Sequence, residues 1–273
     1  MSKFITRSLT VFLLAGLLLP SFQAAASAAA TDSQIAAKYG LQSFTVQKVG
    51  GGIVASYHAN EHPSYPASLL KPILADLAIR NGKSINATIK VESKHLYGCG
   101  LNGNYKVGQR VSFGKALNRA LRNSDNVAAN LLISFGGGLE AMNYRAHDPH
   151  VGAPYGSTNI VEFYGCNGNN NTTTAADVSR AMNTIFTARQ PNDYGVARSA
   201  LKGAASADNY WGVGSAYANK YAAFDKGSRA VSGNSAIIRG KKKSFIVTVY
   251  VNRAGAGPAI RGATADLAKR AFH

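Results

Sequence analysis

Tyr65-Pro66-Ala67-Ser68-Leu69-Leu70-Lys71-Pro72-Ile73-Leu74-Ala75-Asp76-Leu77 is the stretch on which the rest of the chain is hung. Leu70, Ile73, Leu74 and Leu77 recur at i, i+3, i+4 and i+7, the apolar face of a buried helix. Pro66 and Ala67 bring the chain in, and Asn81-Gly82 is a natural stop. Ser68 and Lys71 lie three apart at the first turn and share a face. A serine hydroxyl becomes a nucleophile when a neighbour takes its proton. A lysine amine can do this if burial or a nearby charge lowers its pKa. The free N–H groups of a helix start can also hold a developing oxyanion. Ser-x-x-Lys at this place is therefore a compact acylating unit, although the same four residues also suit a capping serine and a solvated lysine. Pro72 adds tension, because a proline past the first turn leaves a carbonyl free.

Before this stretch, Ser43 to His58 reads as two strands turned at Gly50-Gly51-Gly52. After it, Ile85 to Val91 is short and β-prone, and residues 95–110 look like a loop. Ser112 caps a helix with Ala116, Leu117, Ala120 and Leu121 on its apolar face. A second helix, Val127 to Phe135, ends at Gly136-Gly137-Gly138. Residues 145–171 read as one long loop, and a loop of that length is commonly functional. Thr172 to Asp177 starts a helix continued by Val178, Met182 and Ile185. Residues 192–220 carry no readable period. Ala236 to Ile238 and Phe245 to Val251 form a hairpin around Arg239 and Lys241-Lys242-Lys243, and residues 257–271 close as an amphipathic helix.

Strands at both ends and helices between them predict an α+β fold. An antiparallel sheet is built from both termini and flanked by helices, with an all-helical region inserted. The sheet part takes residues 31–66 and 221–273, and the helical part residues 67–220, within one domain of 31–273.

Residues 1–30 read as a secretory signal peptide. Lys3 and Arg7 precede an apolar run, Leu9 to Leu19, too short to span a bilayer, and small-residue cleavage sites follow around Ala26. No cysteine follows that run, so a lipoprotein anchor is not expected, and neither is a stable membrane anchor. The expected location is secreted or periplasmic. The formal net charge of +17 favours association with anionic cell-wall polymers. The basic residues are scattered and no nucleic-acid motif is present, so nucleic acid is not an expected partner. Cys99 and Cys166 are the two cysteines, and in an exported chain an even pair suggests a disulfide. His147-Asp148-Pro149-His150 is a poor metal site, because no other cluster supports it. No metal or cofactor is expected, and a monomer is.

Two further motifs follow Ser68 in order. Ser124-Asp125-Asn126 falls in the break between two helices, and Asp225-Lys226-Gly227-Ser228 precedes the final hairpin. They supply a hydroxyl, an amide and a second lysine, which an acyl-transfer site would otherwise lack. Ser-x-x-Lys, Ser-Asp-Asn and a Lys-Thr-Gly-type motif in this order resemble the penicillin-recognising serine enzymes, most closely the class A β-lactamases. The likeness spans roughly residues 33–270. It includes Asn123 to Leu132 as the second motif with its helix, and Thr172 to Asp177 as the helix start after the family's omega loop.

The resemblance implies roles. Ser68 would be the nucleophile and Lys71 its base, with Ser124 relaying a proton. Asn126 would hold the substrate amide. Lys226 and Ser228 would bind a carboxylate, and the N–H groups of Ser68 and Arg229 would form the oxyanion hole. Glu162 would activate the water that clears the acyl-enzyme. Two departures stand out. The third motif reads Lys-Gly-Ser, with its hydroxyl displaced by one, and on a strand that reverses its face. Glu162 lies closer to Thr172 than in the family, and Cys166 stands where a partner asparagine is expected. β-Lactam hydrolysis is the leading expectation. The alternatives are a D-Ala-D-Ala peptidase of the cell wall and a penicillin-binding protein without turnover.

Overall fold

The computed structural model describes residues 30–63, 65–97, 104–148, 150, 155–165, 167–189, 192–207 and 216–273. The expected signal peptide and both cysteines, Cys99 and Cys166, lie outside the described residues. Five strands form one antiparallel sheet: β1 (Ser43–Lys48), β2 (Ile53–Tyr57), β5 (Ala216–Phe224), β6 (Val231–Arg239) and β7 (Ser244–Val251). Their order is β2-β1-β7-β6-β5, so strands from the two ends of the chain pair at its centre, Phe44 opposite Val249 and Val46 opposite Val247. The fold is α+β, as expected.

The sheet is covered on both faces, which is why β6 and β7 are buried almost throughout. On one face lie α1 (Asp32–Tyr39) and α8 (Gly257–Phe272), whose Ile35, Ile260 and Leu267 share a core with Phe44, Val46, Val247 and Val249 of the sheet. Thr31 and Gln34 make a capping box that starts α1. On the other face lies the helical part: α2 (Lys71–Arg80), α3 (Phe113–Arg122), α4 (Asn126–Phe135), α5 (Leu139–His147), α6 (Ala175–Thr187) and α7 (Asn192–Ala207). Helix α2 runs through its centre and is buried from Lys71 to Ile79 on every side, not on one face alone. No helix among the described residues is long and apolar enough to cross a membrane.

A row of buried hydroxyls joins α6 to the sheet. Thr45 Oγ1 meets Ser179 Oγ at 2.6 Å, Ser179 meets Thr248 Oγ1 at 2.7 Å, and Thr248 meets Ser235 Oγ at 2.8 Å. Each hydroxyl satisfies the next, which removes the cost of burying four polar groups.

Four expectations change. Residues 139–147 form α5, which starts at Gly138 (φ +96°) with no side-chain cap and so gives little signal in sequence. Residues 192–207 form α7, whose alanines and glycines pack closely without a leucine-type stripe; the space above Gly203 is filled by the Arg122 side chain. Strand β5 begins at Ala216, so the sheet returns earlier than residue 221. The helical part also contains a small hairpin of β3 (Thr88–Lys90) and β4 (Arg110–Ser112) and is not all-helical.

Gly233 of β6 lies under the residue next to Ser68. A Cβ there would stand 2.9 Å from Leu69 Cδ1 and 3.1 Å from the Val249 carbonyl oxygen. Gly233→Ala is expected to lower stability by about 1–3 kcal/mol through overpacking. A urea midpoint unchanged from the parent would show that Leu69 can move aside freely.

Candidate active site

The chain reaches Ser68 through a 3-10 turn, Ala67–Leu70, before α2 begins at Lys71. This resolves the tension at Pro72, which falls within the first two helical positions where a missing N–H costs nothing. Ala67 is left-handed, with φ +44°, and so is Ser124, with φ +58°. Non-glycine residues held in this region store strain, typically at functional sites. Here both lie at the candidate nucleophile. The Ala67 carbonyl accepts the Tyr164 hydroxyl at 3.0 Å, and the Pro66 carbonyl accepts the Tyr250 hydroxyl at 3.5 Å.

Ser124 stands in the break between α3 and α4 because Asp125 organises that break. Asp125 Oδ1 caps α4 by accepting the Ala128 N–H at 3.0 Å, and its Oδ2 pairs with Arg119 Nε at 3.1 Å. Asn126 then opens the helix with its side chain toward Lys71.

Lys71 is fully buried. Its Nζ lies 2.9 Å from Ser68 Oγ, 2.7 Å from Asn126 Oδ1 and 3.2 Å from Ser124 Oγ, and it also bonds the Ser124 carbonyl. Ser124 Oγ donates to Ser68 Oγ at 2.7 Å. Burial holds the Lys71 pKa well below the usual lysine range, and the charge of Lys220 lowers it further, against a smaller opposing pull from Asp125. A neutral amine has two hydrogens and one lone pair. The Ser124 carbonyl and Asn126 Oδ1 can only accept, so they take the two hydrogens. The lone pair is left for the hydroxyls, and Ser68 is the nearer. In that neutral state the amine is placed to act as base toward the nucleophile.

Lys220 was not singled out from sequence. It is fully buried on β5, opposite Ser235 in register, with its ammonium 4.6 Å from the Tyr221 ring. Its strand packs against the 3-10 turn carrying Ser68. The motif chosen from sequence lies six residues later and behaves differently. Lys226 is exposed, lines the cleft and donates to Asn167 Oδ1 at 3.1 Å. Gly227–Arg229 is a 3-10 turn and not a strand, so Ser228 has no sheet face to point from, and it is exposed. The Arg229 N–H donates to the Lys226 carbonyl at 3.2 Å, which takes it out of an oxyanion hole. Its guanidinium instead holds the Asn169 carbonyl at 3.2 Å and Asn170 Oδ1 at 2.9 Å.

Glu162 is turned into its own loop. Its carboxylate accepts the Asn170 N–H at 2.6 Å, and Asn171 bonds its backbone on both sides, at 3.0 and 2.9 Å. Among the described residues of this loop, Tyr164 and Gly165 line the cleft. Tyr164 is held by Asn130 of α4, which accepts its N–H at 2.7 Å and donates to its carbonyl at 3.1 Å. The Tyr164 ring lies 5.1 Å from Lys71 Nζ. Burial pushes its phenol pKa well up, so the hydroxyl stays a neutral donor. The cleft encloses about 300 Å³, with Ser68, Asn126, Tyr164, Ala223 and Lys226 on its walls.

The family model described as the beta-lactamase enzyme family matches residues 27–273. Among solved structures, the TLA-3 extended-spectrum beta-lactamase aligns with a TM-score of 0.72 at 17% identity, over 89% of this chain and 100% of that one. A protein named PBP-A aligns at 0.71 with 15% identity, over 88% and 95%. The D-alanyl-D-alanine carboxypeptidase DacD from Francisella tularensis aligns at 0.64 with 16% identity, over 85% and 70%. No curated protein matches the sequence. Identities this low show a common fold and nothing finer, but the family match runs from before α1 to the last residue. The half-buried Ser68 and fully buried Lys71 sit at the start of α2 against a sheet built from both ends of the described chain, and on the family match the chain belongs to the beta-lactamase enzyme family.

Proposed function

We propose that this chain is an exported serine hydrolase that forms an acyl-enzyme on Ser68 with β-lactams or with cell-wall peptides ending in D-Ala-D-Ala. The observation that carries this is Lys71, fully buried with its Nζ 2.9 Å from Ser68 Oγ and its pKa held well below the usual lysine range. Ser68 Oγ attacks the amide carbonyl and its proton passes to Lys71; the carbon–nitrogen bond then breaks as Ser124 delivers its proton to the leaving nitrogen and regains one from Lys71, 3.2 Å away. Lys220, buried on the strand against the 3-10 turn, lowers the Lys71 pKa, and Lys226 in the cleft wall holds a substrate carboxylate. Ala223, on the outer strand of the sheet and in the cleft wall, replaces Arg229 as the second N–H donor beside Ser68. Export and attraction to an anionic wall follow from the apolar leader and the charge of +17.

Intact-protein mass after a penicillin pulse tests this. The parent is expected to gain the mass of one penicillin, and Ser68→Ala none. An unlabelled parent at millimolar penicillin removes the reading.

The placement of Glu162 favours the wall-peptide reading over fast β-lactam hydrolysis. Its carboxylate is engaged by Asn170 within the loop and is not in the cleft wall.

A further inference from the structure

An acyl-enzyme is an ester, and it clears when a water oxygen attacks the ester carbonyl. The carbon–Oγ bond then breaks and Ser68 Oγ regains a proton. The attacking water must give up its own proton to a base within reach. Two groups of this chain could accept it, Lys71 or a carboxylate of the loop before α6. Glu162 Oε1 accepts the Asn170 N–H, and the residue is not among those lining the cleft around Ser68. Lys71 is enclosed by Ser68, Ser124 and Asn126 on one side and by the Tyr164 ring on the other. The ring is not free to swing. Its backbone is bonded in both directions to Asn130, whose side chain also holds the His95 carbonyl at 3.1 Å, and its hydroxyl is bonded to the strained Ala67.

Resting on the acylation proposed above, we infer that Tyr164 sets the lifetime of the acyl-enzyme. Its ring fills the space beside Lys71 from which a water would attack, and its hydroxyl steadies the turn that presents Ser68. The two parts of the side chain separate the two steps. The ring opposes deacylation, and the hydroxyl supports acylation. A protein built this way holds its acyl group for long periods, as a covalent receptor for β-lactams does, unless a second substrate supplies the attacking group.

The test is time-resolved intact mass on the full-length mature protein, with penicillin as the probe. It reads the rate at which label appears and, after removal of free penicillin, the rate at which it leaves. The parent label is expected to persist for hours. Tyr164→Ala is expected to shed it at least 10-fold faster, because water then reaches Lys71. Tyr164→Phe keeps the ring, so its label should persist as in the parent while labelling itself slows several-fold. A parent that clears its label within seconds overturns the role of Tyr164, and so does a folded Tyr164→Ala whose label is as long-lived as the parent's. Should Tyr164→Ala not fold, Tyr164→Phe still decides: a label lost much faster than the parent's would show that the ring is no barrier. Absence of label in the parent is a different result and overturns acylation at Ser68 itself.

Discussion

Lys71→Ala slows acylation of Ser68 by about 10²–10⁴-fold, the usual worth of a positioned general base. The loss falls on the acylation rate, because the lysine acts on the Ser68 proton and not on the substrate's capture. Its pH dependence has a definite sign. Only the neutral amine has a lone pair, so acylation falls as pH drops through the Lys71 pKa, which burial and Lys220 hold well below the usual lysine range. Removing the neighbouring charge should move that limb in a known direction. In Lys220→Ala the Lys71 pKa rises, and the acid limb of the acylation profile shifts to higher pH. Stopped-flow acylation with a chromogenic β-lactam between pH 5 and 10 reads both variants. A Lys71→Ala rate within threefold of the parent, or an acid limb unmoved in Lys220→Ala, would contradict the assignment.

The three-residue spacing of Ser68 and Lys71 was legible because it is local, whereas Ser124 and Asn126, more than fifty residues on, entered only through the resemblance to the family's second motif. A three-residue spacing places two side chains on one helical turn, and an Asp between Ser and Asn suits a helix cap. Lys220 was not legible. Lys226-Gly227-Ser228 resembles a third motif more closely than Lys220-Tyr221-Ala222 does. What separates them is burial against the 3-10 turn, a tertiary fact with no trace in spacing. Tyr164 was hidden for the opposite reason. In a loop rich in glycine and asparagine the eye goes to the charged Glu162, while the contact with Asn130 that aims Tyr164 crosses 34 residues. The sheet was readable from β-branched runs such as Phe245 to Val251. Helix α7 was not, because alanine and glycine allow close packing without announcing an apolar face.

Asp76→Ala is expected to destabilise the fold by about 3–5 kcal/mol, the cost of stripping one partner from a buried charged network. Asp76 lies one turn after Lys71 and is fully buried in α2. Its carboxylate accepts Arg80 Nε at 2.7 Å, the Tyr155 hydroxyl at 2.6 Å and the Tyr194 hydroxyl at 2.6 Å. Those partners come from α2 itself, from the segment after α5 and from α7, so one side chain ties three parts of the helical region together. Burial first, and then the Asp76 charge, push the Tyr155 and Tyr194 pKa values up, so both phenols remain donors at any ordinary pH. Truncation leaves two hydroxyls and a half-buried guanidinium without their acceptor. At about 2–4 °C per kcal/mol for a chain of this size, the melting temperature falls by roughly 6–20 °C. Asp76→Asn keeps the volume but loses the charge, and its amide faces a donor on at least one side, so it falls between the parent and Asp76→Ala. The network argument makes a sharper demand on the triple variant Asp76→Leu, Tyr155→Phe, Tyr194→Phe. If the cost lies in stranded partners and not in a large net gain from the pair, removing all three polar groups together costs less than Asp76→Ala alone. Urea unfolding of the single and triple variants measures both. A triple variant less stable than Asp76→Ala would mean that the carboxylate network itself stabilises the fold.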